Sequence, residues 1–263
     1  MRKRHLAAAA LLLCALPTPS LALAATRTVK KALHLRAGGA LRIETYKGSV
    51  ELVPWSRERI EVVARIESDP EDSGSHAERS VAGTRIAIEG GGSAVSISTD
   101  HDDEPRTFWG QRLLPAVHYR IRAPSRLRLA LGDHKSRISL AGFEGELRLR
   151  SHKGRIDARK VEGRITLDLY KGRAFLDAVA GRVAVSTYKG AVTLRMRRMD
   201  GPSSLRTHKG RIELRLPPSQ RPRLDVRLGR RATFENGLGG GGAGAGPGLT
   251  VRSHRGTVVL GRP

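Results

Sequence analysis

The sequence has little cysteine and few aromatic residues. Its single cysteine, Cys14, lies near the N-terminus, and aromatic residues make up 4% of the 263. If the N-terminal segment is removed, no thiol remains for a disulfide, a thiolate nucleophile or a cysteine-ligated metal. We therefore predict a disulfide-free chain without a metal site or a cofactor, long enough for one or two domains with a core.

Residues 1–25 have the parts of a secretory signal. Arg2, Lys3 and Arg4 form a basic start, an apolar run follows, and Ala22-Leu23-Ala24 is a small-x-small cleavage pattern. The apolar run is shorter than the roughly 20 residues that a bilayer needs. The sequence thus predicts cleavage near Ala24, an extracytoplasmic protein (periplasmic, secreted or on the cell surface), and no transmembrane segment in the mature chain.

Acidic residues are the minority among the charged ones. The chain has 48 Lys and Arg against 25 Asp and Glu, a formal charge of +23, which falls to +20 without the three basic residues of the signal. Such a surplus favours polyanions as partners: anionic envelope glycans, lipid headgroups or, non-specifically, nucleic acid.

A short motif, His or Tyr followed by Lys and Gly, recurs through the chain every 18 to 20 residues. Copies begin at His134, His152, Tyr170, Tyr188 and His208, with outlying copies at Tyr46 and His254. A fixed period of this size indicates a repeat architecture.

The segments between the motifs alternate apolar and polar residues, as half-buried strands do. Aligned positions form aliphatic rows, one of which reads Ile138, Ile156, Ala174, Val192, Ile212. We predict an all-β fold: a single-stranded β-solenoid (β-helix) of ~18-residue coils with an N-terminal β-rich cap. A meander of hairpins has the same period and is the alternative.

The predicted organisation has three parts. The signal peptide (1–25) is followed by an N-terminal β-rich cap region (26–126) and by the repeats (127–263). The last part includes a glycine-rich excursion at 237–248 and a terminal cap strand.

Three pieces of the repeats carry a family resemblance: Lys-Gly-Arg-Ile-Asp-Ala (153–158), Glu-Gly-Arg-Ile-Thr-Leu (162–167) and Lys-Gly-Arg-Ile-Glu-Leu (209–214). They resemble the units of the bacterial putative-adhesin family, extracytoplasmic β-solenoid domains of unknown function. The resemblance covers about Leu41 to Leu260. It implies a fold and a location, and no reaction.

In such a fold the motifs would stack at about 4.8 Å and align their cations along one edge. Neighbouring ammonium groups at that spacing repel by only about 0.9 kcal/mol in water, so the edge is either a solvated surface or a site for a linear polyanion. The candidate polyanion-binding residues are Lys47, Lys135, Lys153, Lys171, Lys189, Lys209, Arg255, Arg137, Arg155, Arg173 and Arg211.

The aromatic positions of the motif would form a second row. We predict a ring ladder of His134, His152, Tyr170, Tyr188 and His208, and the favoured role of this ladder is structural. Metal binding is disfavoured because zinc requires three or four convergent ligands. Stacking on sugar rings remains an alternative role.

Two further stretches are candidates for binding. Asp100–Glu104 contains oxygen ligands suited to calcium but lacks the spacing of a calcium loop, so we expect an exposed acidic loop. Phe108 and Trp109 lie in a longer loop that would either grip a ligand or cover an open end of the fold.

The sequence favours a non-enzymatic role, an adhesin-like module that binds an anionic envelope glycan or surface polymer. The alternative is a periplasmic structural or signalling scaffold for a protein partner. A polysaccharide lyase comes third, since the acids within the repeats, Asp157, Asp168, Asp177 and Glu213, do not align in one row. Oligomeric state is not predicted.

Overall fold

The computed structural model of the protein describes residues 25–101, 113–239 and 244–263. Outside them lie the predicted signal apart from Ala25, with Cys14, as well as Phe108, Trp109, most of the acidic loop and part of the glycine-rich excursion. The strands are β1 (Thr26–Trp55), β2 (Arg59–Glu67), β3 (Arg85–Asp100), β4 (Ala116–Pro124), β5 (Arg126–Ala141), β6 (Glu144–Ser151), β7 (Arg155–Arg159), β8 (Glu162–Leu169), β9 (Arg173–Thr187), β10 (Ala191–Met199), β11 (Ser203–Thr207), β12 (Arg211–Arg215), β13 (Arg223–Leu228), β14 (Thr233–Asn236), β15 (Gly248–Ser253) and β16 (Thr257–Gly261). One helix, α1 (Gly74–Gly83), is described. None of the described helical structure is long and apolar enough to cross a membrane.

The 18-residue repeats pair with one another in parallel. Ile138 of β5 faces Ile156 of β7, which faces Ala174 of β9, and every one of these side chains is buried. Each strand alternates buried aliphatic residues with exposed polar ones because successive side chains point to opposite faces. The aligned aliphatic rows therefore form the core, and the parallel pairing excludes the hairpin meander for the repeats.

The all-β class is confirmed, but the predicted single-stranded β-solenoid with its N-terminal β-rich cap is wrong. Five parallel strands, β5, β6, β8, β9 and β7, pair in a closed ring, and the other strands lie outside it. The closure arises because β5 and β9 are each long enough to pair with two successive strands. Residues 126–133 of β5 pair with β6 and residues 137–141 with β7, while residues 173–177 of β9 pair with β7 and residues 180–187 with β8. An 18-residue period specifies which residues face each other on neighbouring strands. It does not specify whether the paired strands form a closed ring.

The N-terminal strands are also part of this continuous sheet. β1 pairs in parallel with β5, with Lys47 opposite Lys135, and antiparallel with β2. β2 pairs antiparallel with β4, which returns to β1. Such antiparallel pairs have no place in a purely parallel coil, and they place the first copy of the motif beside the second.

At the C-terminal end, among the described strands, β13 pairs with β15 alone, which makes it an edge strand. β14 likewise forms the edge beside β16. This end is where the aligned motifs stop.

Candidate functional site

The motif occupies a row of four-residue segments, which we call the tips: 45–48, 133–136, 151–154, 169–172, 187–190, 207–210 and 253–256. The first two continue the strands β1 and β5, and in the other five the chain turns between strands. In each tip the second residue is a His or Tyr and the third is a cation. Strand pairing continues from one tip to the next, as Lys47 opposite Lys135 shows. The register of the sheet therefore brings these dispersed residues into one line.

Most tips are closed by their own first side chain. The hydroxyl oxygen of Ser151 accepts a hydrogen bond from the Gly154 amide at 2.9 Å, and that of Thr187 accepts one from Gly190 at 2.8 Å. In the second tip a carboxylate oxygen of Asp133 does the same for the Ser136 amide at 2.7 Å. From Ser151 onward these local bonds accompany a turn, whereas the Asp133 bond lies within the continuous strand β5.

Two tips lack such a closing bond and use glycine differently. Leu169 has no hydroxyl, and the hydroxyl of Thr45 has no partner among the described residues. In these two tips alone the fourth residue has a positive φ, +125° at Gly48 and +104° at Gly172. A left-handed glycine thus replaces the side-chain closure.

Backbone hydrogen bonds join the tips to one another. From Lys153 onward, the amide of each tip cation donates to the carbonyl of the ring residue one repeat earlier. The distance from Lys153 to His134 is 2.8 Å and that from Lys171 to His152 is 2.7 Å. The same bond recurs at Lys189, Lys209 and Arg255. The line of tips is therefore held at strand spacing rather than suspended on free loops.

Six exposed cations share this line, and we call them the tip row: Lys135, Lys153, Lys171, Lys189, Lys209 and Arg255. Within the described part of the chain, none of them forms an ion pair. Two lean over the preceding ring, with Lys171 Nζ 5.5 Å from the Tyr170 centroid and Lys189 Nζ 5.6 Å from that of Tyr188. The row therefore has no described ion-pair partner, although Lys135 is close enough to the Asp69 carboxylate to help lower its pKa.

Lys47, the remaining predicted lysine, is engaged elsewhere. Its Nζ forms an ion pair with Asp69 and donates to the Leu114 carbonyl at 3.1 Å. Burial raises the pKa of the Asp69 carboxyl, but hydrogen bonds from Lys47 and from the Glu71 amide outweigh that effect, so its pKa lies below the ordinary value. Lys47 therefore anchors the β1 tip to the loop after β2.

The four predicted arginines lie beside the tips on the following strands. Arg137, Arg155 and Arg173 are in register on β5, β7 and β9, while Ala191 separates Arg173 from Arg211. All four arginines are exposed, and none is paired with a described acid. They form a second, interrupted cationic line parallel to the tip row.

The five predicted rings lie next to one another, and the outlying copies extend the stack with Tyr46 and His254. Successive ring centroids, in the order Tyr46, His134, His152, Tyr170, Tyr188, His208 and His254, are 4.5, 4.7, 4.6, 4.9, 4.8 and 4.7 Å apart. Each interior ring has a neighbour on both sides. His152 is tilted by 56° from His134 and by 71° from Tyr170, whereas the other neighbouring planes are within 6° of parallel. No group of three candidate metal ligands occurs among the residues described.

Two histidines of the stack are shifted toward the neutral form. Desolvation lowers the pKa of His134, and the neighbouring His152 and Lys153 lower it further. Desolvation also lowers the pKa of His208, with added effects from His254 and Lys209. Each of these histidines resists acquiring a charge beside the cations already present.

The acids considered for a lyase are spread over the surface. Asp157 forms an ion pair with Arg159, which also lies opposite Asp177, and Glu213 pairs with Arg215. Asp168 lies on β8 opposite Ser186. The structure does not bring these four carboxylates together.

Sequence reasoning missed a groove along one flank of the ring stack. Arg206, Arg252 and Arg227 lie in register on β11, β15 and β13 and line a groove of about 530 Å³ together with His208 and His254. A signal was present: in three motifs an arginine stands two residues before the ring, at Arg150, Arg206 and Arg252. The last two of these line the groove. The third arginine of the groove, Arg227, belongs to no copy of the motif.

Comparison with known proteins gives likeness in structure alone. No family model matches the chain, and no curated protein matches it in sequence. Among solved structures, a putative cell adhesion protein from Clostridium sporogenes has a TM-score of 0.35 at 10% identity, covering 90% of this chain and 100% of its own. A putative adhesin from Bacteroides fragilis has a TM-score of 0.45 at 9% identity, with 89% and 97% covered.

A third structure is called a putative lipid binding protein, from Parabacteroides distasonis. Its TM-score is 0.34 at 9% identity, with 89% of this chain and 96% of its own covered. At such scores no ligand is transferred to this chain. The names of the first two structures agree with the resemblance to putative adhesins that the repeat motifs show.

Proposed function

We propose that this chain is a non-enzymatic, extracytoplasmic binding protein whose tip row takes a linear anionic polymer, such as an acidic glycan of the cell envelope. One observation carries the proposal. The six exposed cations of the tip row follow one another on successive repeats, and no described acid is paired with any of them.

Pre-organisation of the row favours binding. The tips are closed internally, as by the Ser151–Gly154 bond, and are joined by bonds such as that from the Lys153 amide to the His134 carbonyl. A polymer that lies along them orders only side chains, since the backbone is already fixed. The lysine stems remain flexible enough to follow variation in the spacing of anions.

The electrostatics of the row also favour an extended ligand. Adjacent charges at strand spacing repel by about 0.9 kcal/mol in water, a cost that the fold tolerates. An anion placed between two of them adds two attractions at shorter distance, which together outweigh that repulsion. Because each exposed pair contributes about 0.2–1 kcal/mol, useful affinity requires several repeats to be engaged together. A polymer satisfies this condition and a single small anion does not.

The test is binding of the purified protein to immobilised acidic glycans, lipopolysaccharide and DNA at two salt concentrations. The row variant changes Lys135, Lys153, Lys171, Lys189 and Lys209 to Ser. A charge-matched control changes five exposed, unpaired cations away from the tips to Ser: Lys30, Arg128, Arg164, Arg182 and Arg223. Both variants lose the same formal charge.

We expect the row variant to lose about 1–5 kcal/mol of binding free energy for one class of polymer, while the control keeps most of it. Equal losses in both variants, for every polyanion, would show that net charge alone is responsible and would contradict the proposal. If the unchanged protein, the row variant and the control all bind one protein partner regardless of salt, the result would support the alternative role as a scaffold for a protein partner.

A further inference from the structure

The ring stack has an uncovered end. His208 stacks on the inner side of His254, with their centroids 4.7 Å apart and the planes 5° from parallel. No other described ring lies against His254, and the His254 side chain is exposed. The stack therefore finishes on an imidazole with one open face.

The turn at Gly229, which lies next to His254 in space, passes that face without supplying a ring. The Gly229 amide donates to the Ser253 carbonyl at 2.8 Å. The His254 amide makes the equivalent bond, one repeat earlier in the sheet, to the Thr207 carbonyl at 3.1 Å. Gly229 thus occupies the ring position of an eighth tip. A Cβ on Gly229 would lie 2.4 Å from the His254 carbonyl oxygen, so any residue other than glycine would clash in this conformation.

The vacant ring position opens into the groove of about 530 Å³. Arg227, on the strand that ends just before Gly229, lies in register with Arg252, which in turn faces Arg206. Arg227 has a weak ion pair with Asp225 at 3.5 Å, whereas Arg206 and Arg252 form none within the described ranges. Guanidinium groups are planar donors that bind carboxylate or sulfate with two parallel bonds.

The polar groups around the open face are chiefly donors. The Ser253 hydroxyl already bonds to both the amide and the carbonyl of Gly256, and Thr207 accepts from the Gly210 amide. A ligand that fits must offer one flat, weakly polar face to the imidazole and acceptors to the arginines. A nucleobase fits less well, because its amino groups need acceptors.

We propose that this groove binds one acidic sugar unit, a uronate or a sulfated pyranose, which completes the ring stack. Its C–H face packs on His254, whose ring face is the electron-rich side, and its carboxylate or sulfate bridges Arg252 and Arg227. The inference rests on the proposed function, since this unit belongs to the polymer that lies along the tip row. It adds a recognition site for a single sugar to a row that recognises only charge.

The probe for this site is a galacturonate dimer, too short to span the tip row, compared with the uncharged galactose dimer. Binding is followed by NMR through the ring protons of His254 and His208. We expect saturable shifts of the His254 signals with the acidic dimer, small shifts of His208, and no shifts with the neutral one. Changes of the same size at every histidine, or none at His254, would overturn the site.

Variants separate stacking from charge. His254→Ala should weaken the dimer about three- to tenfold, whereas His254→Tyr retains a ring and should stay within twofold of the unchanged protein. Arg252→Ser should also weaken the dimer. If the His254→Ala and His254→Tyr variants both bind the dimer as tightly as the unchanged protein does, the stacking role is wrong.

The long polymer distinguishes failure of the site from failure of the row. If polymer binding depends on the five lysines but not on His254 or Arg252, the proposed function stands and the sugar site falls. If the dimer binds as expected while polymer binding is unaffected by the five lysine substitutions, the proposed role of the tip row is wrong. Tighter binding of mononucleotides than of the dimer would show that the groove selects a base rather than a sugar.

Discussion

The hydroxyl of Ser151 donates a hydrogen bond to Oδ2 of Asp133, 2.8 Å away and one repeat earlier in the chain. The other oxygen of Asp133 accepts from the Ser136 amide at 2.7 Å, and both groups are buried. One carboxylate thus closes its own tip and ties it to the next. No other described tip has an acid in this position.

Replacing Asp133 by Ala should therefore destabilise the protein by about 2–4 kcal/mol, since it leaves two buried donors without partners. Asp157→Ala, which removes an exposed pair with Arg159, is the matched control and should cost at most about 1 kcal/mol. Urea unfolding measures both. Equal losses would mean that the Asp133 bridge adds nothing beyond a surface ion pair.

Gly163 is expected to be intolerant of any side chain. Its φ is +120°, and a Cβ there would lie 2.1 Å from the Gly145 carbonyl oxygen. Gly163→Ala should cost at least about 3 kcal/mol, because strain and a backbone clash combine. Gly74 also has a positive φ, +57°, but an added Cβ has no neighbour within 4 Å. Gly74→Ala should cost about 1 kcal/mol, and similar thermal shifts in both variants would refute the clash.

Stability should fall as the pH drops below about 6.5. The pKa values of His134 and His208 are lowered in the folded protein, so the unfolded chain binds more protons below the ordinary histidine pKa. The stability present above that pH is lost as the pH falls toward the folded values. His118, whose pKa burial also lowers, acts in the same direction.

Thermal unfolding between pH 7.5 and 5 tests this titration effect. A variant with Tyr at positions 134 and 208, the residue type found at Tyr170 and Tyr188, should show a shallower decline. The decline should not vanish, because His118 remains. An unchanged slope would show that the stack histidines do not titrate differently on unfolding.

Freeing Lys47 should extend the tip row by one cation. Asp69→Asn removes the ion pair that holds Lys47, and we expect up to about fivefold tighter binding of an acidic polymer at low salt, the effect of one added exposed pair. Asp200→Asn, which makes the same charge change beside Arg198, is the control. An equal gain from both variants would indicate net charge rather than an added position.

The repeat period predicted what is local and periodic. It placed Ile138 opposite Ile156 and set the tips in one line, because a register of 18 residues is visible in the sequence. It did not predict the ring of strands, since β5 continues as a strand through residues 133–136, whereas the copies of the motif from His152 onward interrupt the strand. Closure is a property of pairing between strands, which no single repeat encodes.

The candidate site divides in the same way. The tip lysines follow from spacing, whereas the capture of Lys47 by Asp69 joins a periodic residue to a loop outside the period. The groove beside His254 depends on Gly229, where the motif stops. Because no copy of the motif includes Gly229 or Arg227, the repeat pattern does not predict their position. Sequence thus identified the charged row and missed the end of the ring stack.

The most direct test of the tip row is NMR of the protein with isotopically methylated lysines during titration with a defined acidic oligosaccharide. Beyond the predicted signal the chain has nine lysines, which include Lys30 and Lys160 away from the tips. We predict that the signals of Lys135, Lys153, Lys171, Lys189 and Lys209 shift together and saturate, while Lys30 and Lys160 stay in place. Uniform shifts at all exposed lysines, or shifts confined to Lys30 and Lys160, would contradict the account.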